Sequence, residues 1–252
     1  IDNSSAFRMD PEVPLVVPEV NPQAILKHKG IIANPNCSTI IMVMALKPIY
    51  ELAKIKRVIV STYQAVSGAG KEGIDELDAQ VREHSEGREM TANILPSASA
   101  EKHYPIAFNL IPQIDVFCDN LYTKEEMKMV NETKKIMEDY EMRITATTIR
   151  VPVYRSHSES VNIELEKEVD LGVMREALAK FPGVTVQDDP SKQEYPMPLY
   201  TSEKDDVYVG RLRRDESCEK SYNMWVVGDQ IRKGAALNTL QIAETMIKNG
   251  WI

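Results

Sequence analysis

Apolar and polar positions along the chain change their spacing several times, and each change marks an element. Ser38 to Leu46 runs almost wholly apolar and carries unbranched helix formers (Met42, Met44, Leu46), which predicts a buried helix behind the turn residues Asn34-Pro35-Asn36. Pro48 should kink or end that helix. Lys56–Val66 then alternates, with Val58, Val60 and Thr62 on one face and Ile59, Ser61 and Tyr63 on the other. Both sets are mostly apolar or small, which predicts a central strand buried on two sides. Ile74, Leu77 and Val81 recur at helical spacing. Thr123–Tyr140 carries the fullest helix signature: Thr123 as N-cap, Glu126 completing a capping box, and Met127, Val130, Thr133, Ile136 and Met137 turned inward.

Strands follow over Arg143–Tyr154 and Ser156–Leu165, then a helix over Leu171–Phe181 and a short strand at Val184–Val186. After the proline-containing loop Asp188–Lys204, Val207–Leu212 and Asn223–Val227 read as strands. Gly234–Asn249 reads as a last helix, with Leu237, Leu240 and Ile247 apolar and Gly250 closing it. Residues 1–30 are loop-like, with Leu15–Val17 as the one strand candidate; 85–105 are irregular and Ile106–Val116 partly extended. The order is β–α–β–α, a strand-rich block and a terminal helix. It predicts an α+β domain on a mixed, mostly antiparallel sheet, with pieces of another unit at its two ends.

Composition narrows the function classes. The 252 residues are 43% hydrophobic and 27% charged, enough for one large domain or two small ones. A net charge of −8, with no Lys/Arg cluster interleaved with aromatics, argues against nucleic-acid binding. No apolar run is long enough to span a membrane, and the N-terminus does not read as a signal peptide. Three widely spaced cysteines (Cys37, Cys118, Cys218) argue against a disulfide framework and for a reducing, cytoplasmic setting. The four histidines (His28, His84, His103, His157) are scattered, and no metal-ligand spacing occurs.

The candidate chemistry begins at Cys37. A cysteine in a polar turn at a helix N-terminus meets the positive end of the helix dipole, which favours a thiolate. It is a candidate nucleophile, with a buried structural cysteine as the alternative. Ser67-Gly-Ala-Gly70 is a small-residue turn where backbone can approach a ligand. Arg8 stands in a polar loop. Glu125 and Lys128 share one helix face, which by itself suggests only a surface ion pair.

Five motifs in order carry a resemblance: Asn34-Pro-Asn-Cys-Ser-Thr39, Gln64-Ala-Val-Ser-Gly-Ala-Gly70, Arg150-Val-Pro-Val-Tyr-Arg-Ser-His-Ser158, Val209-Gly-Arg-Leu-Arg213 and Asp229-Gln-Ile-Arg-Lys-Gly-Ala-Ala236. Over its whole length the chain resembles the aspartate-semialdehyde dehydrogenases. The resemblance implies a glyceraldehyde-3-phosphate-dehydrogenase-like catalytic and dimerisation domain at 37–230, with the sheet's helices on one face. It also implies that 1–36 are the last part of an NADP-binding Rossmann domain, and that 231–252 form the helix returning to it. No GxGxxG occurs, so most of that cofactor domain is expected to be missing.

The implied reaction is NADPH-dependent reduction of L-aspartyl 4-phosphate to L-aspartate 4-semialdehyde and phosphate, in lysine, threonine and methionine biosynthesis. The resemblance makes Cys37 the nucleophile, His157 the acid/base and Gln64 the amide that orients the intermediate. Asn36 matches a residue at the acyl centre, Arg150 the arginine taking the substrate carboxylate, Glu125 the partner of its ammonium, and Arg8 and Lys128 the phosphate ligands. Ser67, Gly68 and Gly70 would line the cofactor path and Asn238 the nicotinamide side, with no metal. A homodimer or dimer of dimers is implied. The alternatives are a related acyl-phosphate reductase of the N-acetyl-γ-glutamyl-phosphate type, or a dimerising fragment without turnover.

Overall fold

A computed structural model describes all 252 residues. Helix α1 (Cys37–Leu52) is followed by strand β1 (Ile55–Gln64) and helix α2 (Lys71–Ser85). Then come α3 (Lys124–Ile136), β2 (Arg143–Arg150), β3 (His157–Leu165), α4 (Leu171–Lys180) and β4 (Val184–Val186). The single turn α5 (Pro198–Thr201), β5 (Val207–Arg214), β6 (Ser221–Gly228) and α6 (Leu237–Lys248) complete the chain. A turn of π-helix, Arg232–Ala236, leads into α6.

The six strands form one sheet in the order β2-β1-β3-β6-β5-β4. β1 pairs with β2, and β4 with β5, in parallel; the three central pairings are antiparallel. This is the mixed, mostly antiparallel sheet the sequence predicts. α3 and α4 each pack on α1, and all three pack against the sheet. Ile40 to Leu46 and Ile49 of α1 are fully buried, as expected of a helix apolar on every side. The main core lies between this helix and the sheet face carrying Val58, Val60, Val161, Ile163, Met224 and Val226.

Several sequence expectations change. Of the two outcomes expected at Pro48, it does not end α1, which runs four residues past it; the surrounding packing outweighs the lost hydrogen bond. β1 is central but not buried on both sides, because Ile59, Ser61 and Tyr63 are only half-buried. Leu15–Val17 makes an isolated bridge, Leu15 to Ala33, rather than a strand. The capping box of α3 is present, but its buried face carries Glu125, Met129, Glu132, Thr133 and Ile136, while Met127 and Val130 are half-buried. In α2, Leu77 is buried and Val81 exposed. In α6, Leu240 and Ile247 are exposed, whereas Asn238, Ile242 and Met246 are buried. Each of these helices buries polar groups alongside its apolar ones: Glu125 and Glu132 on α3, Asn238 on α6, and on α2 Glu76 and Gln80, which accept backbone N–H groups of residues 93–107.

The chain ends form a second, smaller core. Val16, Ala24, Ile25 and Ile32 pack with Ile242 and Met246 of α6, and Trp251 covers them. Residues 1–36 and the terminal helix thus hold each other.

One core residue is anomalous. Glu159 of β3 is fully buried between Thr62 of β1 and Val226 of β6 in the ladder, and neither carboxyl oxygen has a partner. Burial alone pushes its pKa well above the usual carboxylate range. The folded chain therefore keeps this proton at pH values where the unfolded chain releases it, so the group's contribution to stability is lost progressively as pH rises above the unfolded carboxyl pKa. Urea titrations should show the unfolding free energy of Glu159→Gln gaining on wild type as pH goes from 5 to 8. Parallel pH profiles would mean that the carboxyl is not held neutral.

Candidate active site

Three strand ends converge because of the sheet's directions. β1 and β2 are parallel and finish side by side at Gln64 and Arg150, while β3 runs the other way and begins at His157. Asn36 caps α1 above this edge, its Oδ1 accepting the Thr39 N–H at 3.1 Å, and Cys37 is the first helical residue. Cys37 Sγ lies 3.6 Å from His157 Nε2. A cavity of about 440 Å³ is lined by Cys37, Asn36, Gln64, Arg8, Glu125, Lys128, Arg150, Ser67 and Gly68. Residues from five separate stretches of the chain therefore meet in one place. A larger cavity, about 520 Å³, lies between Pro11–Leu15 and the end of α3 and holds none of these residues.

α3 supplies the acidic side. Glu125 Oε1 accepts from Asn36 Nδ2 at 2.9 Å and Gln64 Nε2 at 3.2 Å, and its Oε2 accepts from Lys128 Nζ at 3.2 Å. Lys128 also reaches Asp115 at 3.1 Å. Arg150 is different: it is 3% exposed, donates from Nη1 to the Ala65 carbonyl at 2.7 Å, leaves Nε without a partner and has no ion pair. A buried guanidinium with spare donors facing a cavity is built to receive an anion.

The resting charges of Cys37 and His157 differ from the sequence expectation. Burial, then the Glu125 carboxylate, push the Cys37 thiol up to about 12, while Arg150 and the Ser38 N–H pull it down less. The helix N-terminus is present but desolvation outweighs it. Burial, then Arg150, push His157 well below its ordinary value. Both are neutral at rest. His157 Nδ1 accepts the Ala65 N–H at 3.0 Å, so the neutral ring carries its proton on Nε2, facing the sulfur. The ring is thereby a donor to whatever sits at Cys37, which narrows the acid/base role expected of it.

Two glycines are dictated by this packing. A Cβ on Gly68 would stand 2.7 Å from Arg150 Nη1 and 3.2 Å from His157 Cε1, and one on Gly234 would stand 2.8 Å from Cys37 Cβ. Gly70 is exposed with φ +85° and caps α2, outside the cavity lining. Asn238 is not brought to the cavity either. Its amide donates to the Val16 carbonyl and Asn34 Oδ1, and its oxygen accepts from Lys233, so it supports Asn34, which does line the cavity. Gln230, Gly234 and Glu132 were not singled out from sequence. Gln230 donates to Ser67 Oγ at 2.6 Å and accepts from the Ser156 N–H at 2.9 Å, tying the Ser67–Gly68 turn to β3. It and Gly234 stand within the Asp229–Ala236 motif, whose glycine was the available signal.

The family model for the semialdehyde dehydrogenase dimerisation domain matches residues 46–233, and that for the semialdehyde dehydrogenase NAD binding domain matches residues 1–28. An aspartate-semialdehyde dehydrogenase of Aquifex aeolicus is 56% identical over 254 aligned residues, covering 100% of this chain and 73% of the relative. A crystal structure of aspartate semialdehyde dehydrogenase II from Vibrio cholerae, complexed with ASA, superposes with a TM-score of 0.92 at 46% identity over 98% of this chain and 71% of that one. The Candida albicans enzyme, solved with NADP, superposes with a TM-score of 0.74 at 25% identity over 99% and 71% of the two chains.

The resting charges set a reactivity order. At pH 7 iodoacetamide should modify the exposed Cys218 faster than Cys37, and the Cys37 rate should keep rising beyond pH 9 as its thiolate fraction grows. Peptide mapping of the alkylated protein measures both rates; a Cys37 rate already level below pH 8 would contradict the raised pKa.

Proposed function

The chain belongs to the aspartate-semialdehyde dehydrogenase family, and from that membership and the site's geometry we propose how its residues serve the family reaction. That reaction is the reduction of L-aspartyl 4-phosphate to L-aspartate 4-semialdehyde with release of phosphate. The observation that carries the reading is the 3.6 Å approach of Cys37 and His157 beside an unpaired, buried Arg150.

Arg150 takes the substrate α-carboxylate, replacing the anion it lacks at rest. Glu125 meets the ammonium, and Arg8 and Lys128 take the phosphate. Asn36 and Gln64, both tied to Glu125 Oε1, fix the acyl carbon against Cys37. The sulfur then attacks, the bond from the acyl carbon to the phosphate oxygen breaks, and the thiol proton leaves with the phosphate. A thioester remains, and a thioester accepts hydride where a carboxylate does not. The Nε2–H of His157 donates to the oxyanion at each tetrahedral stage, so developing charge meets a preformed dipole. Collapse of the hemithioacetal releases the aldehyde and returns Cys37 as thiolate, which takes a proton from solvent.

A bound nicotinamide supplies the hydride. Ser67 and Gly68 fit its side of the cavity, because the space a Cβ at Gly68 would fill is closed by Arg150 and His157, so only bare backbone can line that wall. We read the cofactor as NADP, supported by the NAD binding domain match and the likeness to a relative solved with NADP. We further assign 1–36 and 231–252 to the cofactor-binding side and 37–230 to the catalytic and dimerising unit, supported by the small core the chain ends share. We assign a homodimer, supported by the dimerisation-domain match, and no helix is long and apolar enough to cross a membrane.

Arg150→Lys tests the carboxylate reading. It keeps the charge but loses the planar fork, worth about 1.5–3 kcal/mol in a charged hydrogen-bonded pair. The KM for aspartate semialdehyde should rise ~10–100-fold with less change in the KM for phosphate. Equal rises in both would mean that Arg150 does not discriminate the carboxylate.

A further inference from the structure

One side chain touches both the proposed phosphate ligand and the nucleophile's turn. Glu132 lies seven residues beyond Glu125, two turns along the same face of α3, and its side chain is 1% exposed. Its Oε1 accepts from Arg8 Nη1 at 3.3 Å, and its Oε2 accepts the backbone N–H of Asn36 at 2.7 Å. A carboxylate this deep is costly unless its oxygens are engaged, and here each has one partner.

Both partners depend on it. Arg8 comes from a loop that packs on α3 from far away in sequence, and its Nη2 donates to the Asn3 carbonyl at 3.1 Å. Lys135, three residues beyond Glu132, fastens the same loop by donating to the carbonyls of Arg8, Asp10 and Val13 at 2.7–2.8 Å. The loop backbone is thus held without Glu132, but the direction of the guanidinium is not. Arg8 keeps spare donors, lines the active-site cavity, and has a buried Nε without a partner. On the other side, the Asn36 N–H immediately precedes Cys37, so an unpaired N–H there would loosen the residue that caps α1.

We propose that Glu132 is a positioning residue that couples anion capture at Arg8 to the placement of Cys37. One oxygen aims the guanidinium at the departing phosphate; the other holds the turn from which the sulfur attacks. Both ends of the reacting acyl phosphate are then gripped from a single carboxylate. The inference rests on the reading of Arg8 as a phosphate ligand.

The test is semialdehyde oxidation by the native enzyme with NADP⁺ and inorganic phosphate, comparing wild type, Glu132→Gln, Glu132→Asp and Arg8→Ala. Glutamine keeps the size and one acceptor for the Asn36 N–H but turns an amide donor toward Arg8. In Glu132→Gln the KM for phosphate should rise by about tenfold or more, with the KM for the semialdehyde and kcat at saturating phosphate within about threefold. Glu132→Asp keeps the charge at a shorter reach and should give a smaller rise of the same selectivity, which covers the case in which the glutamine variant does not fold. A residue that only stabilises the fold would lower Tm or kcat and leave the phosphate KM alone; that result overturns the proposal. Arg8→Ala separates the two layers. An unchanged phosphate KM there removes the reading of Arg8 itself, whereas a raised one beside unchanged Glu132 variants removes only the coupling.

Discussion

The site depends on how two carboxylates of α3 hold the first turn of α1. Asn36 is bound at three points: its side-chain oxygen caps its own helix, its amide donates to Glu125, and its backbone N–H donates to Glu132. Buried carboxylates are unfavourable in isolation, so these bonds run both ways. The carboxylates need Asn36, Gln64, Lys128 and Arg8, and those groups need the carboxylates to stay in place. That mutual requirement fixes the turn that carries Cys37, and the contacts of Cys37 with His157 and Gly234 act on a residue already placed.

The same packing sets the charge state of the pair. Desolvation raises the thiol and lowers the imidazole, so neither ionises readily at neutral pH. A free thiolate would be reactive toward adventitious electrophiles. Holding it neutral makes reaction, in the proposed mechanism, depend on a substrate whose phosphate carries off the proton and whose carboxylate pairs with Arg150. The tautomer of His157 is set by a backbone group, the Ala65 N–H, whose own carbonyl also accepts from Arg150. The backbone of one residue thus orients two side chains of the site.

The fold provides the convergence. Two parallel strands end where an antiparallel third begins, so Gln64, Arg150 and His157 come to one sheet edge although 86 residues separate the first from the second. Gly234 approaches Cys37 and Gly68 approaches Arg150 and His157 too closely for any side chain. These approaches bring the π-turn before α6 against Cys37 and the turn after β1 against Arg150 and His157.

By itself the sequence determined the elements whose signals are local. The capping box at Thr123 and Glu126, the wholly apolar stretch of α1, and the alternation in β1 could be read because helix caps and side-chain periodicity depend on near neighbours. The motifs marked Cys37, Gln64, Arg150 and His157 as a set. On α3 periodicity found Thr133, Ile136 and Met137 but missed the buried Glu125 and Glu132, and on α6 it gave no sign of the buried Asn238, because it counts apolar residues and these three meet polar partners elsewhere. Only the tertiary structure decided that Asn238 supports Asn34 rather than the cavity, and that desolvation overrides the helix dipole at Cys37. It also decided that Glu132 bridges Arg8 and Asn36. Each of these turns on distances between residues far apart in the chain, and the energy of a buried charge is fixed by what folding places around it.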